Sequence, residues 1–382
     1  LGGPLDGMLA ERVVLKADLA DSANEWLSGT LMWPMWLRGA GMAIGKRTEV
    51  STVFDTIPEL TEIAEDSFLA DGAYLGGPAI HRGTVTLART RLGKKVFLGN
   101  YAVAPCGATI PDGVLLGVCT VAPVAAMTPG TSWFGHPPFE LPKREEPKLN
   151  ESLTYRPSWI RYLNRVFWEQ LRFTLALPPA ALGLGAVYLA LLADDHAPLW
   201  AMLTFVVPGL ELAYLASICT LAVALKWALL GKVRPGAHPL WSCWCSRWDF
   251  NYTAWHHWAQ GPASALEGTQ WMNAYLRALG VRIGKHVVIS DALALVVDPD
   301  MIECQDDVTS SALFQAHTFE DRELKLGLVT LKERATVGSA ALLLFGAEVG
   351  EGASVLGNSV VMKHERLLPG QAYAGSPTRP IP

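Results

Sequence analysis

The chain has 382 residues, 50% of them hydrophobic and only 18% charged, with a formal net charge of −5. It is too long for one small domain and more apolar than an ordinary soluble protein, so part of it is expected in a membrane. The charge is slight and forms no basic stripe, which argues against nucleic acid as a partner.

The six cysteines show no paired spacing beyond Cys243-Trp244-Cys245, so reduced cytosolic thiols are expected. The chain begins at Leu1 without a signal peptide and reads as a piece of something longer. Residues 1–35 are expected as an N-terminal membrane-proximal segment, running through Gly29-Thr30 towards Trp36-Leu37-Arg38. Within it begins Met32 to Met42, a short amphipathic helix expected to cap the first coil of a repeating block.

Over residues 36–142 the dominant signal is a six-residue period: Leu92, Leu98, Ala104, Ile110 and Leu116 recur at every sixth position. Glycine comes after several of these apolar residues (Ile44-Gly45, Leu92-Gly93, Leu98-Gly99, Leu116-Gly117), so a turn with a permissive backbone is expected after each inward-pointing side chain. Three such sides make one coil of a parallel β-helix, and the hexapeptide type implies the left hand. Between Leu75 and Leu92 the rhythm breaks, with 17 residues where six would keep it. One loop is therefore extruded, and loops on rigid solenoids are where function tends to sit. His81 is the only histidine of this loop and a candidate for substrate or carrier binding. Asn100 lies at the first turn after it, placed to donate to a substrate oxygen, although asparagine in solenoid turns is usually structural.

In residues 143–172, Trp159, Ile160, Leu163, Phe167, Trp168 and Leu171 alternate with Arg161, Arg165 and Glu169 at helical spacing, the pattern of a helix in the headgroup layer. Residues 173–230 hold two apolar stretches: Phe173 to Ala193, 21 positions without a charge, and Ala197 to Leu225, interrupted only by Glu211. At 1.5 Å per residue the first covers roughly the 30 Å hydrocarbon core, so a transmembrane helical hairpin is expected, the alternative being a buried pair in a large soluble protein. Arg161, Arg165, Arg172, Lys226, Lys232 and Arg234 flank the outer ends, while Asp194-Asp195 sits at the tip. The positive-inside rule then makes this an integral membrane protein with both β-helix domains on the cytoplasmic side. Glu211 adjoins Pro208-Gly209, where a break in the helix would let it face protein or water. Residues 231–274 carry Trp241, Trp244, Trp248, Trp255 and Trp258, expected at the membrane boundary or packed between membrane and soluble parts.

Residues 275–382 repeat the first block, with residues 44–122 answered by 283–361 at a constant offset of 239. Leu331, Val337, Leu343, Val349 and Val355 continue the apolar column. Gly268-Thr269 and Tyr275-Leu276-Arg277 match Gly29-Thr30 and Trp36-Leu37-Arg38, Trp271 to Arg282 matches the capping helix, and both blocks begin through Ile-Gly-Lys. The Pro129-to-Pro137 exit is matched by Pro369 to Pro377 at an offset of 240, one residue gained late.

Phe314 to Leu331 again spans 17 residues, so a second loop leaves at the same level. At its root stands His317, where the first copy has Pro78. Imidazole titrates near neutral pH and serves as both base and acid. A histidine leaving a hexapeptide β-helix is thus placed to deprotonate a nucleophile attacking a thioester, a surface histidine bonded to neighbouring carboxylates being the other reading. Glu320 and Asp321 are candidate orienting partners. Arg322 is a candidate for the phosphate of a carrier or coenzyme, an ion pair with Glu320 or Asp321 being the commoner fate. Ser339, the counterpart of Asn100, is a further candidate donor. There is no P-loop, His-Glu-x-x-His, Gly-x-Ser-x-Gly or Cys-x-x-Cys motif, and His136 and His256-His257 lack ligand spacing, so no metal is expected.

The two hexapeptide copies, the hairpin joining them, the Pro-Gly…aromatic…Gly-x-Pro exits and above all the His-x-Phe-Glu-Asp-Arg-x-x-Lys-Leu stretch within Leu313 to Leu326 resemble one family. It is the C-terminal membrane region of ε-poly-L-lysine synthetase and related amino-acid-polymerising nonribosomal peptide synthetases. The likeness covers nearly the whole chain. It implies that an upstream adenylation domain activates the amino acid and a carrier domain holds it as a phosphopantetheine thioester. The membrane-bound tandem domains then join it to the amine of a free monomer or growing chain, with no cofactor bound directly. Pro78 departs from this pattern and leaves one unit without the histidine.

The fold class expected is mainly β solenoid with membrane α: two left-handed parallel β-helix domains joined by a transmembrane hairpin. Hexapeptide transferases build active sites in the crevice between neighbouring coils, so a further tandem unit or a second chain is expected to complete a dimer- or trimer-like arrangement. Three functional readings stand: amide formation with His317 as base, a non-catalytic membrane scaffold that docks the carrier domain, and a stand-alone acetyl-CoA-dependent membrane acyltransferase.

Overall fold

The computed structural model describes residues 26–141, 150–290 and 296–382. Most of the expected N-terminal segment and the start of the 143–172 linker lie outside the described residues. Contacts divide the chain into two compact units, one reaching to Pro157 and including Phe319–Arg322, the other made of Ser158–Thr318 and Glu323–Pro382.

In the first unit a short helix α1 (Trp33–Gly39) opens with Pro34 and buries Trp33 and Leu37 in the apolar core of the adjoining strands. Those strands form three parallel sheets. Ala43–Ile44, Thr61–Ile63, Thr90–Leu92 and Thr109–Ile110 make the first, and Val53–Phe54, Ala73–Leu75 and Val103–Ala104 another. The remaining sheet runs from Glu49–Val50 through Phe68–Leu69, Phe97–Leu98 and Leu115–Leu116 to Ser132–Phe134, with Phe139–Glu140 antiparallel at its end. Ile63 lies over Leu92 and Leu92 over Ile110, so the sixth-position residues form continuous columns. Leu92, Leu98, Ala104, Ile110 and Leu116 are all buried. Three parallel sheets with inward columns fit a β-helix, in which each coil buries its apolar edge only against its neighbours.

The glycines after these columns serve close approach rather than backbone freedom. A Cβ on Gly93 would stand 2.7 Å from the backbone nitrogen of Asp112 in the next coil. The left-handed turn residue comes two positions later, at Lys95 (φ 53), and again at Arg334 (φ 60) in the second copy.

The second unit begins with helix α2 (Trp159–Arg172), whose amphipathy is inverted. Arg165, Glu169 and Arg172 are buried, whereas Trp159, Ile160, Leu163 and Phe167 are more than half exposed. Inside, Arg165 pairs with Glu169 at 2.7 Å and stacks 4.7 Å over Trp241, while Arg172 meets Asp249. Two helical stretches, Glu151–Asp194 and Leu199–Leu229, are long and apolar enough to cross a membrane. The first apolar helix, α3 (Leu177–Asp194), starts at Leu177 rather than at Phe173, with Pro178-Pro179 in its first turn, where proline is favoured. The second, α4 (Val207–Leu229), is not broken at Pro208. The turn ahead of it, Met202–Val206, widens into a π-helix where the proline has no N–H to give, and Glu211 is exposed.

Helix α5 (Cys243–Trp258) takes up most of the tryptophan-rich stretch, and much of it is packed inside the unit. Trp241, Trp248, Trp255 and Trp258 are buried; Trp255 Nε1 donates to the Tyr275 hydroxyl at 2.9 Å and Trp258 Nε1 to the Leu175 carbonyl at 2.6 Å. Burial raises the Tyr275 phenol well above its ordinary range. Helix α6 (Gln270–Leu279), capped by the Thr269 side chain, precedes the second stack as α1 precedes the first. The duplication extends to single bonds: Arg38 holds the carbonyls of Ile44 and Gly45, and Arg277 those of Ile283 and Gly284.

The second stack has the same three parallel sheets, starting at Arg282–Ile283, Val288–Ile289 and Leu313–Gln315. Leu331, Val337, Leu343, Val349 and Val355 are buried. The offset of 239 is not constant. Ile44 pairs with Ile63 but Ile283 with Cys304, and Val50 with Leu69 but Ile289 with Ser310, so this coil runs at an offset of 241. The excess is returned by Phe314, since only four residues separate it from Ser310 where six separate Leu75 from Leu69. Cys304, sealed in this coil, has its thiol pushed up to about 12 by burial, with Glu303 adding to the effect.

The exposed apolar face of α2 is expected to meet lipid. A nitroxide on Leu163→Cys in the liposome-reconstituted protein should be relaxed more by oxygen than by a water-soluble nickel chelate. The reverse order would place that face in water.

Candidate active site

Both extruded loops are antiparallel hairpins, but they are built differently. The first pairs Ala79–His81 with Thr84–Thr86 around Arg82 and Gly83, both at positive φ as a tight two-residue hairpin turn demands, and all its strand residues, His81 among them, are exposed. In the second, His317–Thr318 pairs with Glu323–Leu326, and a third strand, Gly236–Pro239, lines the other edge. His317 lies opposite Leu326, which in turn faces Gly236. On this added strand His238 stacks on Trp244 at 3.7 Å, and burial lowers its imidazole below the usual value.

The hairpin sets His317 against a carboxylate that sequence reasoning missed. Its Nδ1 lies 2.5 Å from Oδ2 of Asp298, whose other oxygen accepts Trp248 Nε1–H at 2.9 Å. The Asp298 side chain is 3% exposed and that of His317 19%. The Trp248 ring meets the imidazole edge-on, 5.1 Å between centroids. With Nδ1–H donated to Asp298, the imidazole is held as the tautomer whose lone pair is on Nε2. A buried carboxylate behind a histidine also stabilises the imidazolium once a proton arrives. A histidine so held can take up a proton at Nε2, with Asp298 as its orienting group.

Asp298 precedes a 3-10 turn, Pro299–Met301, whose counterpart in the first copy is Pro58–Leu60. The residue matching Asp298 is therefore Ile57, buried and apolar. Where the second copy has His317 and Asp298, the first has Pro78 and Ile57.

The other candidates stand elsewhere. Glu320 opens the 3-10 turn Glu320–Arg322, and the carboxylate found at His317 Nδ1 is that of Asp298. Arg322, expected to meet phosphate or its loop neighbours, is 2% exposed. Its guanidinium donates to the Arg47 carbonyl and, at 3.2 Å, to that of Ser67, lies 3.9 Å from Glu49 and stacks 4.7 Å over Tyr155. Phe319 beside it stacks on Phe68 at 5.7 Å. Asn100 and Ser339 lie in turns where their carbonyls accept the N–H of Cys119 and Asn358 in the next coil. Among the described residues no group of three histidines, cysteines or carboxylates stands ready to hold a metal.

Tandem parallel-sheet stacks, two apolar helices and an extruded hairpin whose histidine meets a buried aspartate define a duplicated hexapeptide-repeat protein. Over 380 residues, 95% of its length, the chain is 35% identical to Delta-poly-L-ornithine synthetase of Acinetobacter baumannii (strain AB307-0294). It is thus homologous to part of an amino-acid-polymerising synthetase, in keeping with the resemblance drawn from sequence, and it spans 28% of that protein's length. No family model matches. Among solved structures, a hexapeptide-repeat acetyltransferase of Vibrio cholerae O1 biovar eltor complexed with acetyl coenzyme A overlaps 27% of this chain and 60% of its own, at 22% identity and TM-score 0.22. A galactoside acetyltransferase in complex with coenzyme A overlaps 27% and 55%, at 18% identity and TM-score 0.22.

Because Arg322 ties backbone carbonyls and Glu49 together, Arg322→Ala is expected to cost stability, about 1–3 kcal/mol for the partners left unmet. Thermal unfolding in detergent reads this. Arg322→Lys should recover only part, since an ammonium lacks the guanidinium fork.

Proposed function

We propose that the chain forms amide bonds between an aminoacyl thioester held on a carrier domain and the amine of a free amino acid or growing chain. It would do so as a membrane-bound module of a nonribosomal peptide synthetase. Acyl or amide transfer in general is supported by the synthetase relative; the thioester donor is the substrate this reading adds. The observation that carries it is the contact of His317, on the second hairpin, with Asp298, which Trp248 also meets.

An amine attacking a thioester carbonyl gains a fourth bond and must lose a proton. In this reading His317 Nε2 takes that proton as the C–N bond forms, while Asp298 balances the imidazolium. Collapse of the tetrahedral intermediate breaks the C–S bond, and the proton passes to the departing thiolate, giving amide and free carrier thiol. The carrier's phosphopantetheine enters only as the substrate's handle, so upstream adenylation and carrier domains are the partners. The relative's stated product makes a basic amino acid the first substrate to test.

The same reading takes the stacks as left-handed β-helices, takes the two apolar helices as a transmembrane hairpin and keeps both stacks on the cytoplasmic side, where carrier domains are. The first stack, with Pro78 and Ile57, serves as scaffold.

His317→Ala, in the full-length synthetase, is expected to leave amino-acid loading and membrane insertion intact and to lower product formation about 10²-fold or more. His81→Ala should do far less. Polymerisation at the wild-type rate by His317→Ala would overturn the catalytic assignment and favour the scaffold reading, and transfer from acetyl-CoA to a free amine without any carrier would favour the stand-alone acyltransferase.

A further inference from the structure

The turn that carries Asp298 has a second buried carboxylate. Asp300 stands just across Pro299; its side chain is 4% exposed, and Lys226 Nζ, on a side chain 2% exposed, lies 2.7 Å from its Oδ2. The same oxygen accepts the backbone N–H of Val233 at 3.1 Å. Lys226 is in the last turn of α4, its ammonium 3.6 Å over the ring of Trp227, and Trp227 Nε1 donates to the Ala278 carbonyl at 2.8 Å. Gly280, which ends α6 with φ 125, closes the site. A Cβ there would come within 2.6 Å of Asp300 Oδ1 and 3.1 Å of Lys226 Nζ.

We propose that Lys226 is a positioning residue for the His317–Asp298 pair, clamping Asp300 so that the end of the second apolar helix holds the base in register. This rests on the reading of His317 as the base. Two buried opposite charges keep each other, since either alone in a dry site is strongly disfavoured. Pro299 fixes φ between the two aspartates, so a displacement of Asp300 passes to Asp298 with little slack. Asp298 in turn sets the imidazole, and a base displaced by about 1 Å loses on the order of 10²-fold in rate. A change in depth or tilt of α4 is thereby conveyed to the proton acceptor. In the first copy the turn reads Ile57-Pro58-Glu59, and Ile57 offers no carboxylate to aim.

The test uses the full-length synthetase in membranes, with amino-acid loading measured separately. Lys226→Met and Asp300→Asn are made alone and combined with Asp298→Asn. Each single variant is expected to lower kcat about 10-fold with KM within about twofold, a loss confined to the reacting arrangement. Lys226→Arg should restore most of it. In the Asp298→Asn background, neither should lower the residual rate further, because residues acting through one another are not additive. The same factor of loss in both backgrounds, or no loss from Lys226→Met and Asp300→Asn while Asp298→Asn is impaired, overturns the proposal. No loss from Asp298→Asn itself removes the base reading first. If Lys226→Met fails to insert, the Asp300→Asn pair of measurements decides alone.

Discussion

A carboxylate removed from water must be met by donors, and the second unit is arranged around that requirement at Asp298. Trp248 reaches it from α5, His317 from the extruded hairpin, and Pro299 stiffens the turn beside it. Each comes from a separate stretch of chain. The tryptophan-rich segment, the third hairpin strand and the Asp298 turn then become parts of one device, in which a buried anion fixes a histidine tautomer.

The repeating architecture is legible in the sequence because it is a local rule. One apolar residue every sixth position, with a glycine where backbones approach, declares itself without knowledge of the rest of the fold, and the columns at Leu92 and Leu331 obey it. The hairpin roots are legible for the same reason, as interruptions of a period. Asp298 is not. It sits where the copies fall out of step by two residues, so alignment at 239 sets it opposite Glu59 rather than Ile57. A tryptophan that donates to a carboxylate also looks, in sequence, like one that lies at a membrane boundary. Arg322 misleads because its partners, Glu49, Ser67 and Tyr155, are far from it in the chain, and a sequence offers only its neighbours Glu320 and Asp321.

Helix α2 turns the usual logic of amphipathy round. In a soluble protein, Arg165, Glu169 and Arg172 would face water and Trp159, Leu163 and Phe167 would pack inward. Here the ions are paired inside and the apolar side chains are displayed. The cost of burying the charges is offset by mutual pairing, by the Trp241 face and by Asp249. Such a face suits apolar surroundings better than water.

The two-residue slippage in the second stack has a bearing on how a duplicated solenoid diverges. In a globular core an insertion strains every layer that packs on it, so length changes are mostly purged. Here the surplus that accompanies Asp298 is cancelled before Phe314, and the coils above keep the spacing of the first copy. The two-residue surplus is thus contained within one rung, and the other change, a single residue, comes only at the exit, where Leu116 pairs with Trp133 but Val355 with Tyr373. A duplicate of this kind can take new side chains at one level of the ladder while the coils stacked on it keep their spacing, because each coil contacts only its neighbours.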